Sequence, residues 1–223
     1  MTLHAGGRIS RRIPLLAALL SYFAYSGTLS ADDTWKVVSE SKGVKVESRV
    51  RSGASINELR AIGVIDSSIP VVRRVLEDLE AYPRFMPFVV ECRLLKRERD
   101  AFISYQRISA PLVSDRDYTL RVRSSGEADG KVFRSRWEVA NALGPAEQPG
   151  VVRVTINEGS WLLEAQDDHT TRATYSVYTD GGALPAFVAN RANHVGIGRL
   201  FEAMRKQVQQ PKYNLSPQDP TAR

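Results

Sequence analysis

The sequence predicts an α+β domain: a curved antiparallel sheet of about six to seven strands wrapped around a long C-terminal helix, with a hydrophobic cavity between them. Three observations predict it. Period-2 alternation of apolar and polar residues recurs through residues 88–178. One short amphipathic helix interrupts the strands near residue 70. A single long apolar stripe at helical spacing occupies residues 184–209. A sheet with one apolar face cannot stand uncovered, and only the C-terminal helix is long enough to cover it. One helix against so many strands leaves a slot, and a slot walled by aromatic and aliphatic side chains is a ligand cavity.

The composition fits a globular domain. The chain has 223 residues, 43% hydrophobic and 25% charged, with a mean hydropathy of −0.27. These values exclude a disordered chain, a coiled coil and a multi-span membrane protein. One cysteine, Cys92, rules out an internal disulfide and a thiolate metal cluster, and reads as a small strand residue. Three histidines far apart in sequence do not form the spacing of a histidine metal centre, so no metal and no cofactor is expected.

Half of the net charge of +6 lies at the N-terminus, in Arg8, Arg11 and Arg12, with no acid before residue 31. An apolar run, residues 13–25 (IPLLAALLSYFAY), follows, and then small residues up to Ala31. This order is that of a secretory signal peptide over residues 1–31. The apolar run has 13 residues, against about 20 for a membrane span, which favours removal over anchoring. The expected location is therefore the periplasm or the exterior. The remaining basic residues are scattered among acids, as in residues 96–100 (KRERD), so nucleic acid is not an expected partner.

The mature domain is expected over 32–210. Residues 36–50 read as a short hairpin or a turn and strand, turning at Lys42 and Gly43, and 56–65 as a strand. Ser67, Ser68 and Pro70 start a helix whose apolar stripe is Val71 or Val72, Val75, Leu76 and Leu79, ended by Tyr82 and Pro83. Strands follow over 88–97, 101–108, 116–125, 131–140, 151–164 and 171–178. On them Tyr118, Leu120 and Val122 share one face, as do Phe133, Ser135 and Trp137, and Ala173, Tyr175 and Val177. The final helix carries Phe187, Ile197, Phe201, Met204 and Val208 on one stripe, with Asn190 and His194 inside it. Pro211 stops it, and 211–223 reads as a flexible tail.

Several segments carry a resemblance: residues 75–87 (VLEDLEAYPRFMP), 111–118 (PLVSDRDY), 137–141 (WEVAN), 159–161 (GSW), 171–175 (TRATY) and 184–193 (LPAFVANRAN). In this order the chain resembles the START domain, the lipid-transfer domain related to the steroidogenic acute regulatory protein, within the helix-grip superfamily that includes Bet v 1. The resemblance implies a carrier of a lipid or other hydrophobic small molecule, a monomer that touches membranes transiently. It also implies that residues 109–115 form an omega loop at the cavity mouth and that helix 184–209 acts as a lid. Some superfamily relatives are cyclases or hydrolases.

The candidate cavity lining is Tyr105, Arg107, Trp137, Trp161, Tyr175, Phe187, Asn190, His194 and Phe201. The aromatic residues fall on positions that alternate inward. Asn190 and His194 lie one turn apart on an apolar stripe, where a ligand hydroxyl or head group would satisfy them. Arg107 would need a carboxylate or a polar head group if it points inward, as would Arg60 beside Glu58. The motif 114–117 (SDRD) reads as a loop closed by Asp–backbone bonds and an Arg–Asp pair rather than a catalytic pair of carboxylates. Ser160 lacks a GxSxG surround, so no hydrolytic triad is supported. The expected function is non-enzymatic carriage or presentation of a lipid. An enzyme of the same fold would need Asp117, Glu58 and His194 to converge in the slot, and a protein-interaction module would need a filled core.

Overall fold

The computed structural model describes residue 2 and residues 34–54, 56–111, 113–181 and 186–214, with side chains in the last stretch described from 196 onward. The expected signal peptide and residues 215–223 lie outside them. The element order is β1 (Lys36–Ser41), β2 (Val44–Val50), β3 (Asn57–Ile65), α1 (Ile69–Glu77), α2 (Tyr82–Phe85), β4 (Val89–Arg97), β5 (Ala101–Ile108), β6 (Arg116–Gly126), β7 (Val132–Val139), β8 (Val152–Arg153), β9 (Asn157–Ala165), β10 (Thr171–Thr179), α3 (Ala186–Gln207) and α4 (Pro211–Asn214).

All ten strands join one sheet in the order β1-β2-β3-β10-β9-β7-β6-β5-β4, with β8 beside the start of β6. Every pairing along the path is antiparallel, and β8 alone runs parallel to its neighbour. The sheet exceeds the expected six or seven strands for two reasons. The N-terminal hairpin adds β1 and β2, and the stretch read as one strand over 151–164 is broken between Val154 and Ile156 into β8 and β9.

α1 starts at Ser68 with Pro70 in its first turn, and the Ser68 side chain makes no capping bond. Its buried face is Ile69, Val71, Val72, Val75 and Leu76. The helix ends at Asp78 rather than at Tyr82. Asp78 leaves helical geometry, and its carboxylate accepts the Ala81 N–H at 3.3 Å, capping a 3-10 turn over Leu79–Ala81. Tyr82 and Pro83 then open α2, where a proline in the first turn lacks only a donor that has no partner anyway.

The C-terminal end of α3 packs into the concave face. Phe201, Met204 and Val208 are fully buried against Leu59, Ala61 and Ile65 of β3 and the apolar side of α1. Each such side chain contributes roughly 1.5–3 kcal/mol through loss of water contact. The first residues of the expected tail, 211–214, are helical. Pro211 opens α4 instead of ending order, Tyr213 is buried in the same cluster, and its hydroxyl donates to Asp78 at 2.8 Å. Among the described residues no helix is long and apolar enough to cross a membrane.

The convex face carries charge. Glu47 meets Arg60 at 2.6 Å, and Glu58 meets Arg49 at 2.8 Å and Arg51 at 3.1 Å. The guanidinium groups of Arg49 and Arg60 both lie over the Trp35 ring, 4.6 and 4.2 Å from its centre. Arg60 and Glu58 therefore satisfy one another's neighbours outside the sheet and do not reach the slot.

Candidate functional site

A hollow of about 900 Å³ lies between the concave face and the elements that cross it. Its floor is the even-numbered face of β5 and β6: Phe102, Ser104, Gln106 and Ile108 beside Tyr118, Leu120 and Val122. Register sets this arrangement, because Gln106 pairs with Tyr118, Ser104 with Leu120 and Phe102 with Val122. One wall is aromatic. Trp137 stacks on Tyr175 with ring centres 5.7 Å apart, and Tyr175 meets Trp161 at 4.8 Å. Trp161 in turn meets Phe201 at 5.8 Å, where the hollow gives way to solid core. Gly196, Ile197 and Leu200 of α3 form the roof, and Met86, Pro87 and Phe88 close one side.

Gly159 makes room for the aromatic wall. It pairs with Trp137 on one side and Val177 on the other. A Cβ there would lie 2.3 Å from the Ser176 carbonyl oxygen and 2.4 Å from the Trp137 ring. Without a side chain at 159, the indole lies across the strand and its Nε1 donates to Asn157 Oδ1 at 3.0 Å.

Trp137, Trp161 and Tyr175 line the hollow as the alternation predicts. Phe201 does not; it is buried in the core beneath Trp161 and against Gly63. Tyr105 and Arg107 lie on the opposite face of β5, one residue out of phase with Gln106. The alternation misled at Tyr105 because both faces of β5 are buried. The segment between β7 and β9 crosses the outer face there, and Tyr105 donates to Asp117 at 3.1 Å beneath it. Asp117 is also held by Arg153 at 2.7 Å, so it forms an outer-face ion pair and no acid–base site in the slot. Burial, and then the bond to Asp117, push the Tyr105 phenol up to about 12.

Arg107 closes the loop at the mouth. It meets Asp115 at 2.6 Å, and Ser109 also bonds that carboxylate. The Ser109 bond and then the guanidinium hold Asp115 below the usual carboxylate range. The closed loop places Ala110, Pro111 and Val113 on the rim of the hollow. Phe187, Asn190 and His194 belong to the first half of α3, whose side chains lie outside the described residues.

Other lining groups escaped the sequence reading. Gln106, Asn157 and Ser104 are polar residues in the wall, and in a one-stranded view a polar residue reads as solvent-facing. Only the pairing with Tyr118 reveals the face that Gln106 occupies. Burial raises the phenols of Tyr118 and Tyr175 above their ordinary range, so both stay protonated. Cys92 is buried, and burial pushes its thiol up to about 12, so it is not a thiolate at neutral pH. Among the described residues no group of three His, Cys, Asp or Glu side chains could hold a metal ion.

A family model described as polyketide cyclase / dehydrase and lipid transport matches residues 65–205. The chain belongs to that family. It is 30% identical over 181 residues to an uncharacterised protein of Pseudomonas aeruginosa, covering 80% of this chain and 87% of that one. It is 25% identical over 182 residues to the phosphatidylcholine transfer protein of Rattus norvegicus, covering 78% and 84%. A solved STAR-related lipid transfer protein from Xanthomonas axonopodis superposes with a TM-score of 0.73 at 28% identity, covering 80% of this chain and all of that one. The architecture is the START, or helix-grip, fold: a curved antiparallel sheet with a C-terminal helix across it. The lipid-transfer character of these relatives and the apolar hollow together support binding of an apolar ligand.

Proposed function

We propose that the protein binds a lipid in the hollow and carries or presents it in the periplasm, after residues 1–31 are removed. The observation that carries the reading is the hollow itself. About 900 Å³ lies toward the top of the range for ligand sites, roughly 300–1,000 Å³, and the wall is mostly aromatic and aliphatic. A protein-interaction module would fill that space with side chains. Each methylene of an acyl chain transferred there gains about 0.8 kcal/mol, which holds the ligand without any chemical step. Asp117 and Glu58, which an enzyme would bring into the slot, pair with arginines on the outer face. Release requires the mouth to open, and the loop held by Arg107 and Asp115, with the start of α3, is the part that moves. The basic, apolar and small-residue order of 1–31 supports export.

Native mass spectrometry of protein isolated from its own periplasm tests both parts. The expected result is a chain that begins near residue 32 and carries a lipid-sized adduct that is lost on denaturation. A chain beginning at Met1 overturns the location. An empty chain that also takes up no radiolabelled lipid from vesicles overturns the carrier reading.

A further inference from the structure

The hydrogen bonds inside the hollow run in one direction, and Trp137 sets it. An indole has a donor and no acceptor, so the Asn157 atom facing it is the carbonyl oxygen, Oδ1, at 3.0 Å. The amide nitrogen of Asn157 is left to donate, and the Asn157 side chain bonds the Tyr118 hydroxyl. With its oxygen accepting from Asn157, Tyr118 gives its own proton to Gln106 Oε1 at 3.2 Å. Gln106 thus ends the chain with its carbonyl occupied and its amide nitrogen, Nε2, without a partner among the described residues. Gln106 lines the hollow and is only 9% exposed. Two residues along the same face of β5, Ser104 is wholly buried in the wall, and its hydroxyl also has no partner. The floor therefore offers unused donors from two adjacent inward positions, about 7 Å apart along the strand.

Among the described residues, charge is scarce in the lining. The described lining residues include two charged side chains, Glu77 and Arg116. Glu77 is paired with Arg73 at 2.7 Å, and Arg116 is held by the carbonyls of Gly181, at 2.6 Å, and Ser114. A quaternary ammonium placed against Gln106 would lose its water without gaining a counter-charge from the described lining, which is costly. A neutral oxygen placed there would satisfy donors that are otherwise stranded.

Resting on the carrier reading above, we propose that the ligand is an uncharged lipid whose ester or amide carbonyl is anchored by Gln106 Nε2, with the Ser104 hydroxyl as a second donor. The phospholipids named for a relative fit this floor less well than a diacylglycerol does.

Partition of radiolabelled dioleoylglycerol, dioleoylphosphatidylcholine and hexadecane from an emulsion onto the purified protein tests the assignment. Dioleoylglycerol is expected to bind at least tenfold better than the phosphatidylcholine. Gln106→Met keeps the length of the side chain and removes the donor. It should lower dioleoylglycerol uptake about tenfold, the scale of one hydrogen bond with a stranded partner, and leave hexadecane uptake within twofold. Gln106→Glu keeps the acceptor for Tyr118 without the amide donor and serves as a second variant, read the same way. Trp137→Phe removes the group that fixes the direction, so Asn157 can turn over. The preference for dioleoylglycerol over hexadecane should then fall about threefold. Equal uptake of the two lipids, or dioleoylglycerol uptake unchanged in both Gln106 variants, overturns the assignment. Failure of all three probes to enter the wild-type protein, hexadecane included, instead overturns the carrier reading on which it rests.

Discussion

Toward the end of α3, Phe201, Met204 and Val208 press into β3 and α1 so closely that none keeps more than 1% of its surface. One turn and a half earlier, Gly196 faces the hollow, and a Cβ placed on it would meet nothing within 4 Å. The same helix crosses the same concave face at both places. The sheet supplies Leu59, Ala61 and Ile65 to the first region and Phe102, Gln106 and Tyr118 to the second. Packing of the solid end fixes how far the helix stands from the sheet, and Gly196 leaves the space beside it unfilled. The contrast shows that such a cavity needs no strained or missing element. It needs one anchored helix with a glycine where it passes over the hollow.

Four measurements sharpen or break the comparison. Phe201→Ala should have the largest effect, a loss of about 3–5 kcal/mol in urea unfolding. Phe102→Ala, in the partly empty end, should cost less than half as much; equal losses would mean that the hollow contributes to stability as a core does. Gly159→Ala follows, at roughly 1–3 kcal/mol, because the new methyl group meets a backbone oxygen and the Trp137 ring. It should also displace the indole and shift its fluorescence, whereas a stability loss without a spectral change would separate the glycine from the aromatic wall.

Gly196→Ala should stabilise the protein by about 0.5–1 kcal/mol, since glycine inside a helix costs that much relative to alanine and there is room for the methyl group. Gly196→Phe should fold and fill part of the hollow, which lipid uptake would reveal as a loss with an unchanged melting temperature. The smallest effect concerns acid. Burial alone would raise Asp78, but the bonds from Lys212 and Tyr213, with the Lys212 charge, outweigh it and hold the carboxyl below its ordinary value. A lowered folded-state value stabilises above the unfolded value near 3.9 and is lost as pH falls through the folded value. Wild type should therefore lose at most about 1 kcal/mol more than Asp78→Asn between pH 5 and pH 3, because both partners are partly exposed. No difference between the two would show that α4 is held by Tyr213 packing alone.

Strands whose outer face carries polar residues were legible, even where that face is covered, as at Thr119. On β6 the alternation of Tyr118, Leu120 and Val122 against Thr119, Arg121 and Arg123 gives the inward face directly. β5 was not legible in the same way, because Ile103 and Tyr105 are as buried on its outer side as Ser104 is on its inner side. Hydrophobicity along a single strand cannot then choose a face. The family resemblance located the mouth loop at 109–115, but the Arg107–Asp115 closure depends on two residues brought together by a fold-back. The polar chain from Trp137 to Gln106 spans β7, β9, β6 and β5, and only the register of those strands brings its members together.

The pairing of β3 with β10 has a consequence for the order of events as the chain folds. Leu59 faces Val177, and Ile65 faces Thr171, so the N-terminal hairpin has no permanent neighbour until almost the last strand exists. The meander from β4 to β7 and the β9–β10 hairpin close short loops and can form early. The β1–β3 segment must wait, its edge open to other strands, until a loop of more than a hundred residues closes. The chain is open to aggregation in that interval, and shielding of β3 would matter most at that step.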